Sequence, residues 1–272
     1  MRRAPATAKL NLALVVGPRR EDGRHELVTV LQRLDLADRI SVEPAAQLCV
    51  KGFPEDTLVR SALESLAAAA GAEPRWEARI WKKVPIAAGL GGGSSDAATA
   101  LKLANETLPE PLPLEALAEL AASLGSDVPF FLTSGPQLGR GTGTDLTPLE
   151  LPQDYWVVLV LPLEARKSST AEVYADFDAR RGAEGFDTRR GVLDGALARV
   201  RRPRDLAALP RNDLASSPLA TELSALGAFR ADVSGAGPGV YGLFHHREQA
   251  SKAERALRAR GKTWITVPTW YG

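Results

Sequence analysis

Pro85-Ile86-Ala87-Ala88-Gly89-Leu90-Gly91-Gly92-Gly93-Ser94-Ser95-Asp96-Ala97-Ala98 places four glycines and two serines between a strand-like run and an alanine-rich segment. Upstream, Arg75-Trp76-Glu77-Ala78-Arg79-Ile80-Trp81-Lys82-Lys83-Val84 alternates polar and apolar residues, the period of a strand. Downstream, a helix is expected from Ser95 to about Thr107. Consecutive glycines let backbone N–H groups approach an anion closely, and a following helix adds unsatisfied donors and the positive end of its dipole. Ser94 and Ser95 are placed to cap that helix and to donate to phosphate. The competing reading is a tight turn, which needs only one or two glycines; four carry an entropic cost that favours a ligand role. The loop lacks the Gly-Lys-[Ser/Thr] ending of a P-loop, and Ser94 stands where a Rossmann fingerprint needs its third glycine. Asp96 reads as a first-turn acid on the helix dipole, the alternative being help in holding a metal ion.

Outward from the loop, strands are expected at 9–16, 26–34 and 39–43, and a helix at 56–70 ending on Gly71. In the first strand Lys9, Asn11 and Ala13 share one face and Leu10, Leu12 and Leu14 the other. A helix at 114–124 ends on Gly125, and Pro129 is expected to keep Val128 extended, so that Asp127 stands where the chain leaves a helix end. Tyr155–Leu161 reads as a strand opening a second half, followed by helices near 169–180, 190–200 and 218–226. The chain then reads strand 229–234, strand 239–244, helix 248–260 and strand 263–268. This mixture without regular βαβ alternation predicts an α+β fold. Two further glycine clusters, Gly139-Arg140-Gly141-Thr142-Gly143 and Ser234-Gly235-Ala236-Gly237-Pro238-Gly239, suggest that backbone approaches a ligand from several sides.

The 272 residues suffice for one large domain or two modest ones. With 34 basic against 33 acidic residues the net charge is +1, so no general affinity for nucleic acid or acidic membranes is expected. Arg199–Arg204 is a short basic cluster best read as a solvated face. The single cysteine, Cys49, excludes an internal disulfide and a Cys-based zinc site, and its apolar surroundings place it in the core. Lys9 and Asn11 interrupt any signal-peptide apolar stretch, and no apolar run approaches the roughly 20 residues of a spanning helix. A cytoplasmic protein without a membrane partner is expected.

Taken together these stretches resemble the GHMP kinase superfamily, which includes galactokinase, homoserine kinase, mevalonate kinase and phosphomevalonate kinase. Pro85–Ser95 is similar to its central phosphate-binding motif. Ala8-Lys9-Leu10-Asn11-Leu12, Asp22-Gly23-Arg24-His25 and Gly125-Ser126-Asp127-Val128-Pro129-Phe130-Phe131 narrow the likeness to the branch acting on a cytidine-diphosphate-linked methylerythritol. Asn212-Asp213-Leu214 and Ser234-Gly235-Ala236-Gly237 match later motifs, so the resemblance spans nearly the whole chain. It implies transfer of the ATP γ-phosphoryl group to the 2-hydroxyl of the methylerythritol moiety, in non-mevalonate isoprenoid precursor synthesis. It also implies an ATP-binding N-terminal domain over 1–152, like the second domain of ribosomal protein S5. A ferredoxin-like C-terminal domain over 153–272 and an active site in the cleft between the two complete the expected architecture.

Carried over by position, the resemblance makes Lys9 and Asp127 the catalytic pair. It lays ATP along Pro85, Ile86, Ala87, Ala88, Gly89, Leu90, Gly91, Gly92, Gly93, Ser94 and Ser95, with Asn11, Arg24 and His25 on the substrate side. An aspartate can accept the proton of an alcohol nucleophile, and a lysine can offset charge growing on the reacting oxygens. Without that context an ion pair for Lys9 and a helix cap for Asp127 would be the better readings, and a lone loop histidine is usually exposed polar surface. Mg²⁺ is expected to arrive with ATP, with no ligand set named by the sequence. The family usually carries a tyrosine before the histidine, able to stack on cytosine; here it is Arg24, whose guanidinium can also stack on a base. Phe186 is either an opposing stacker or a plain hydrophobic anchor. Ala236 replaces the usual serine of the last glycine loop, and Pro238 removes a backbone donor. The remaining alternatives are a homoserine- or mevalonate-type kinase of the same superfamily, or a non-catalytic nucleotide- or RNA-binding module. The oligomeric state is not legible.

Overall fold

The computed structural model describes residues 1–163 and 169–269. Two long strands, β1 (Arg2–Arg19) and β2 (His25–Pro44), pair with each other. Gly23, at φ 79°, makes the turn between them, and Asp22 Oδ1 accepts from the Arg24 N–H at 3.0 Å. Sequence patterning expects two strands where β2 runs unbroken. The polar interruption at Asp38 is tolerated because its carboxylate accepts from the backbone N–H groups of Lys83 and Val84.

The described chain packs as two compact units that interleave along the sequence. The first comprises Met1–Ala8, Leu36–Ile86 and Gly91–Ser134; the second comprises Lys9–Asp35, Ala87–Leu90 and the chain from Gly135 onward.

In the first unit the C-terminal half of β2 pairs antiparallel with β4 (Trp76–Trp81), and β3 (Cys49–Lys51) adds to β4 in parallel. Cys49, expected in the core, is only half-buried, because β3 is a three-residue strand at the sheet margin. Three helices follow: α1 (Leu58–Ala69), α2 (Gly92–Asn105) and α3 (Leu114–Leu124). Asp56 Oδ1 accepts from the Leu58 and Val59 N–H groups at 2.6 and 3.0 Å and starts α1. Val59, Ala62, Leu63, Leu66 and Ala67 then give it one buried stripe. Behind its first turn α2 is buried almost all round, and its alanines let α1 approach closely.

In the second unit the N-terminal half of β2 pairs with β5 (Gln137–Arg140), which forms a hairpin with β6 (Asp145–Pro148). Gly141 and Gly143, at φ 65° and 95°, make that hairpin turn, which accounts for the middle glycine cluster without a ligand. A second sheet has the order β10-β7-β9-β8, all antiparallel, from β7 (Trp156–Pro162), β8 (Arg230–Val233), β9 (Val240–Phe244) and β10 (Gly261–Thr266). Helices α4 (Thr170–Ala179), α5 (Phe186–Leu197) and α6 (Pro218–Ala225) lie between β7 and β8 in the chain, and α7 (Arg247–Leu257) lies between β9 and β10. This is the split βαβ order of a ferredoxin-like sheet. Val158, Val160, Val233, Val240 and Phe244 pack on one face against Leu223 of α6 and Ala250, Ala253 and Leu257 of α7. Among the described residues no helix is long and apolar enough to cross a membrane.

Buried Arg230 ties this sheet to the turn Pro203–Ala208 and the chain that follows it. It donates to the carbonyls of Leu206, Leu209 and Pro210 at 3.1, 2.7 and 2.8 Å and pairs with Asp232 at 3.3 Å. Burial raises the Asp232 pKa above the ordinary carboxylate value, against the pull of Arg230. Arg230→Met removes the cation and leaves this carboxylate buried. A loss of about 3–5 kcal/mol of unfolding free energy is expected, read from the urea midpoint at constant m-value.

Candidate active site

Alternation along β1 brings Lys9 and Asn11 to one side, as their spacing predicts. Lys9 is 3 % exposed and its Nζ donates to Asn11 Oδ1 at 2.6 Å. Asn11 Nδ2 donates to Thr29 Oγ1 at 2.8 Å, and that hydroxyl donates to the Ala13 carbonyl at 2.8 Å. The relay orients the Asn11 amide, so that its oxygen faces the ammonium. Gly235, at φ 58°, lies against the same pair: a Cβ there would stand 3.2 Å from Asn11 Oδ1 and 3.4 Å from Lys9 Nζ. Asn212 Nδ2 holds this backbone by donating to the Gly235 carbonyl at 2.7 Å.

The glycine loop divides into two parts with different physics. Ala87–Leu90 belongs to the second unit and locks onto Ser234–Gly239. Gly239 N donates to the Ala88 carbonyl at 3.1 Å, Ser234 Oγ to the Gly89 carbonyl at 2.9 Å, and Lys9 N to the Leu90 carbonyl at 2.9 Å. A Cβ on Gly89 would meet the Ser234 carbonyl oxygen at 2.0 Å, and one on Gly237 the Gly89 nitrogen at 2.2 Å. These glycines serve the approach of two backbones to each other, a packing role that the anion-loop reading did not contain.

The other part, Gly91–Ser95, belongs to the first unit and opens α2. The helix starts at Gly92, not Ser95, because Gly91 at φ 69° turns the chain in the left-handed conformation. Ser94 and Ser95 therefore lie within the first turns and are not caps; no side chain caps this helix start. The N–H groups of Gly92, Gly93 and Ser94 have no intrahelical acceptor by position. Around Gly93 nothing stands within 4 Å of an added Cβ, whereas at Gly92 the Val84 side chain is 3.1 Å away and Lys82 Nζ 3.3 Å.

Asp96 is also not a first-turn acid. It stands deeper in α2, its side chain has no exposure, and it accepts from Lys82 Nζ at 2.7 Å. Fully buried Asp38 pairs with the same ammonium. Burial pushes the Asp96 carboxyl up to about 7; Lys82 opposes the shift and Asp38 adds to it. Burial works against the Lys82 charge, yet the two carboxylates hold its pKa above the ordinary lysine value.

Asp127 is half-buried in the turn between α3 and Pro129–Leu132, and that last segment packs against α2. Val128 is in the αR region (φ −64°, ψ −44°) rather than extended, because its N–H bonds to the Gly125 carbonyl at 3.1 Å and its carbonyl accepts from Phe131 N at 3.1 Å. A tight turn overrides the preference imposed by Pro129.

His25 is 5 % exposed, not a surface histidine. Its Nε2 lies 2.7 Å from Asp178 Oδ1, and Arg19 holds the other Asp178 oxygen at 3.3 Å. Tyr174 stacks on its ring at 4.8 Å and Phe177 meets it edge-on at 5.8 Å. Tyr174 and Asp178 share a face of α4 at i, i+4 spacing and were missed in the sequence, where nothing local links them to His25, 153 residues from Asp178. Arg24 is exposed. The ring of Phe186 lies 3.0 Å from the Cβ position of Gly17, which favours the hydrophobic anchor over the stacker.

Residues 57–135 match the GHMP kinases N terminal domain, and residues 214–263 match the GHMP kinases C terminal domain. The 4-diphosphocytidyl-2-C-methyl-D-erythritol kinase of Geobacter sulfurreducens is 36 % identical over 285 residues, covering 96 % of this chain and 96 % of that protein. The chain belongs to the GHMP kinases, in the family of that enzyme. A crystal structure of 4-(cytidine 5'-diphospho)-2C-methyl-D-erythritol kinase superposes with a TM-score of 0.79 at 33 % identity, over 98 % of this chain and 99 % of the other. The mevalonate kinase of L. major, at 16 % identity and a TM-score of 0.76 over 99 % and 96 % of the two chains, shares the fold. Membership in the GHMP kinases accounts for the α+β architecture and for the order of the motifs.

Backbone contact at Gly89 makes a direct test of the loop lock. Gly89→Ala combines a left-handed φ of 77° with a Cβ 2.0 Å from a carbonyl oxygen. It is expected to lower stability by about 1–3 kcal/mol, measured by chemical denaturation.

Proposed function

We propose that this chain transfers the γ-phosphoryl group of ATP to the 2-hydroxyl of 4-diphosphocytidyl-2-C-methyl-D-erythritol, in the cytoplasm, as a step of non-mevalonate isoprenoid precursor synthesis. The observation that carries this reading is relationship over nearly the full chain to kinases of that name, at 36 % identity. The mevalonate-type likeness, at 16 %, extends only to the fold.

In this reading residues 1–152 are the ATP-binding half and 153–272 the C-terminal half. The N–H groups at the start of α2, within Pro85–Ser95, receive the ATP phosphates, where the helix dipole favours anions. Asp127 accepts the proton of the attacking hydroxyl. Lys9, held by Asn11, offsets the charge that grows on the transferring oxygens. Phosphoryl transfer depends chiefly on such positioning and electrostatics. Asn11, Arg24 and His25 serve the acceptor side, with Tyr174 as the aromatic surface beside His25. Mg²⁺ would come with ATP and offset the charge of its phosphates.

Asp127→Asn is expected to reduce turnover by at least about 10²-fold with ATP affinity preserved. Near-normal turnover would remove Asp127 from the chemistry. Gly93→Ala has room for its methyl and is expected to keep the wild-type denaturation midpoint while raising the KM for ATP. An unchanged KM would take the start of α2 out of the phosphate site. The substrate assignment is tested by ADP release with the diphosphocytidyl methylerythritol, homoserine and mevalonate as acceptors. Preferential turnover of the first is expected, and preference for either of the others would replace it.

A further inference from the structure

The start of α2 rests on a group of charged side chains that the phosphoryl-transfer chemistry does not use. Asp38, at the middle of β2, accepts from the N–H groups of Lys83 and Val84 and so fixes the chain just before Pro85. Lys82 bridges Asp38 to Asp96 on α2. Both ends of the glycine loop are thereby fastened to one ammonium, whose Nζ lies 3.3 Å from the position a Cβ would take on Gly92. The two carboxylates have no exposure, and Asp96 Oδ1 is buried without a hydrogen-bond partner among the described residues. Two buried carboxylates on one ammonium leave one negative charge in excess, close to where α2 presents its unsatisfied N–H groups. Such a charge is costly in a low-dielectric setting and is relieved by a proton.

We propose that Asp38, Lys82 and Asp96 are positioning residues for the start of α2, and that binding of a nucleoside triphosphate there draws a proton from solvent onto the Asp96 carboxylate. The inference rests on the ATP site assigned to α2. The proton settles on Asp96 when the phosphates arrive, because their negative charge disfavours a second anion nearby, and it returns to solvent when they leave. Among the other charged groups of the elements around Asp96, Asp56 before α1 acts in the same direction as Asp38. Arg60 and Glu64 of α1, Glu115 and Glu119 of α3 and Lys102 of α2 itself are exposed, and Pro129–Leu132 carries no titratable side chain. In the free protein the Asp96 carboxyl is poised at about 7, so the uptake falls in the neutral range.

The sign follows from linkage. The bound state holds more protons than the free state, so ATP affinity contributed by this group is highest below pH 7 and declines as pH rises through and above it. The test is isothermal titration of ATP into the full chain in two buffers of different ionisation enthalpy, repeated from pH 6 to 8.5 for the wild type and for Asp96→Asn. Protons belonging to the nucleotide are common to both proteins and cancel in the difference. The wild type is expected to take up a measurable fraction of a proton near pH 7 that the variant does not. Its affinity is expected to fall about three- to tenfold more steeply than that of the variant across the range, corresponding to a coupling of about half to one pKa unit. Should Asp96→Asn fail to fold, Asp38→Asn serves in its place: with one carboxylate left on Lys82, the uptake should move to lower pH.

ATP binding by the wild type with no proton uptake overturns the inference alone. The same uptake in Asp96→Asn as in the wild type also overturns it. Absence of ATP binding by the folded wild type overturns the kinase reading and the inference together.

Discussion

Between Gly89 and Gly237 the two backbones are so close that neither residue can carry a side chain. Much of the second unit's site hangs on this contact. With the backbones in register, the Ser234 hydroxyl reaches the Gly89 carbonyl, and Gly235 comes to lie against Asn11 and Lys9. A van der Waals limit thus sets where an ammonium stands. Hydrogen bonds to Thr29 and Asn212 then refine an arrangement that sterics have already selected.

Cations held within the protein recur in both units, each in a different way. Lys9 donates to a neutral amide oxygen, which orients it. Arg230 spreads its charge over three carbonyls and a carboxylate, the planar fork matching several acceptors at once. Lys82 is outnumbered by carboxylates. The last two spend their charge on the protein's own backbone and acids.

Much of the fold was legible because strong local signals coincide. Helix α3 begins and ends at the residues expected, bounded by Pro113 and Gly125, and each strand of the second sheet falls within about two residues of its apolar run. Strands β5 and β6 were missed, since each holds a single leucine, Leu138 or Leu146, and shows no alternation. In the site, alternation along β1 was enough to put Lys9 with Asn11. Burial was not legible: Asp96 reads as a first-turn acid on the helix dipole and His25 as a substrate-side residue in a charged loop, because charge and polarity suggest solvent until their partners are known. Those partners lie 14 residues away for Asp96 and 153 for His25, and no local pattern joins them. The glycines were read as ligand-facing, and at Gly89 and Gly237 the space proves to be occupied by other backbone.

The interleaving of the units bears on how the chain comes together during synthesis. Leu14 bridges to Asn212 and Leu34 to Pro268, all within the second unit. Its first strands therefore leave the ribosome long before the segments that complete their hydrogen bonding exist. Closing such long loops has an entropic penalty that must be met before the contacts reward it, which makes this unit the slower to assemble. Until Asn212 and Tyr241 are made, the stretch Leu10–Val16 is a strand without those neighbours, and it is there that the nascent protein needs protection from other chains.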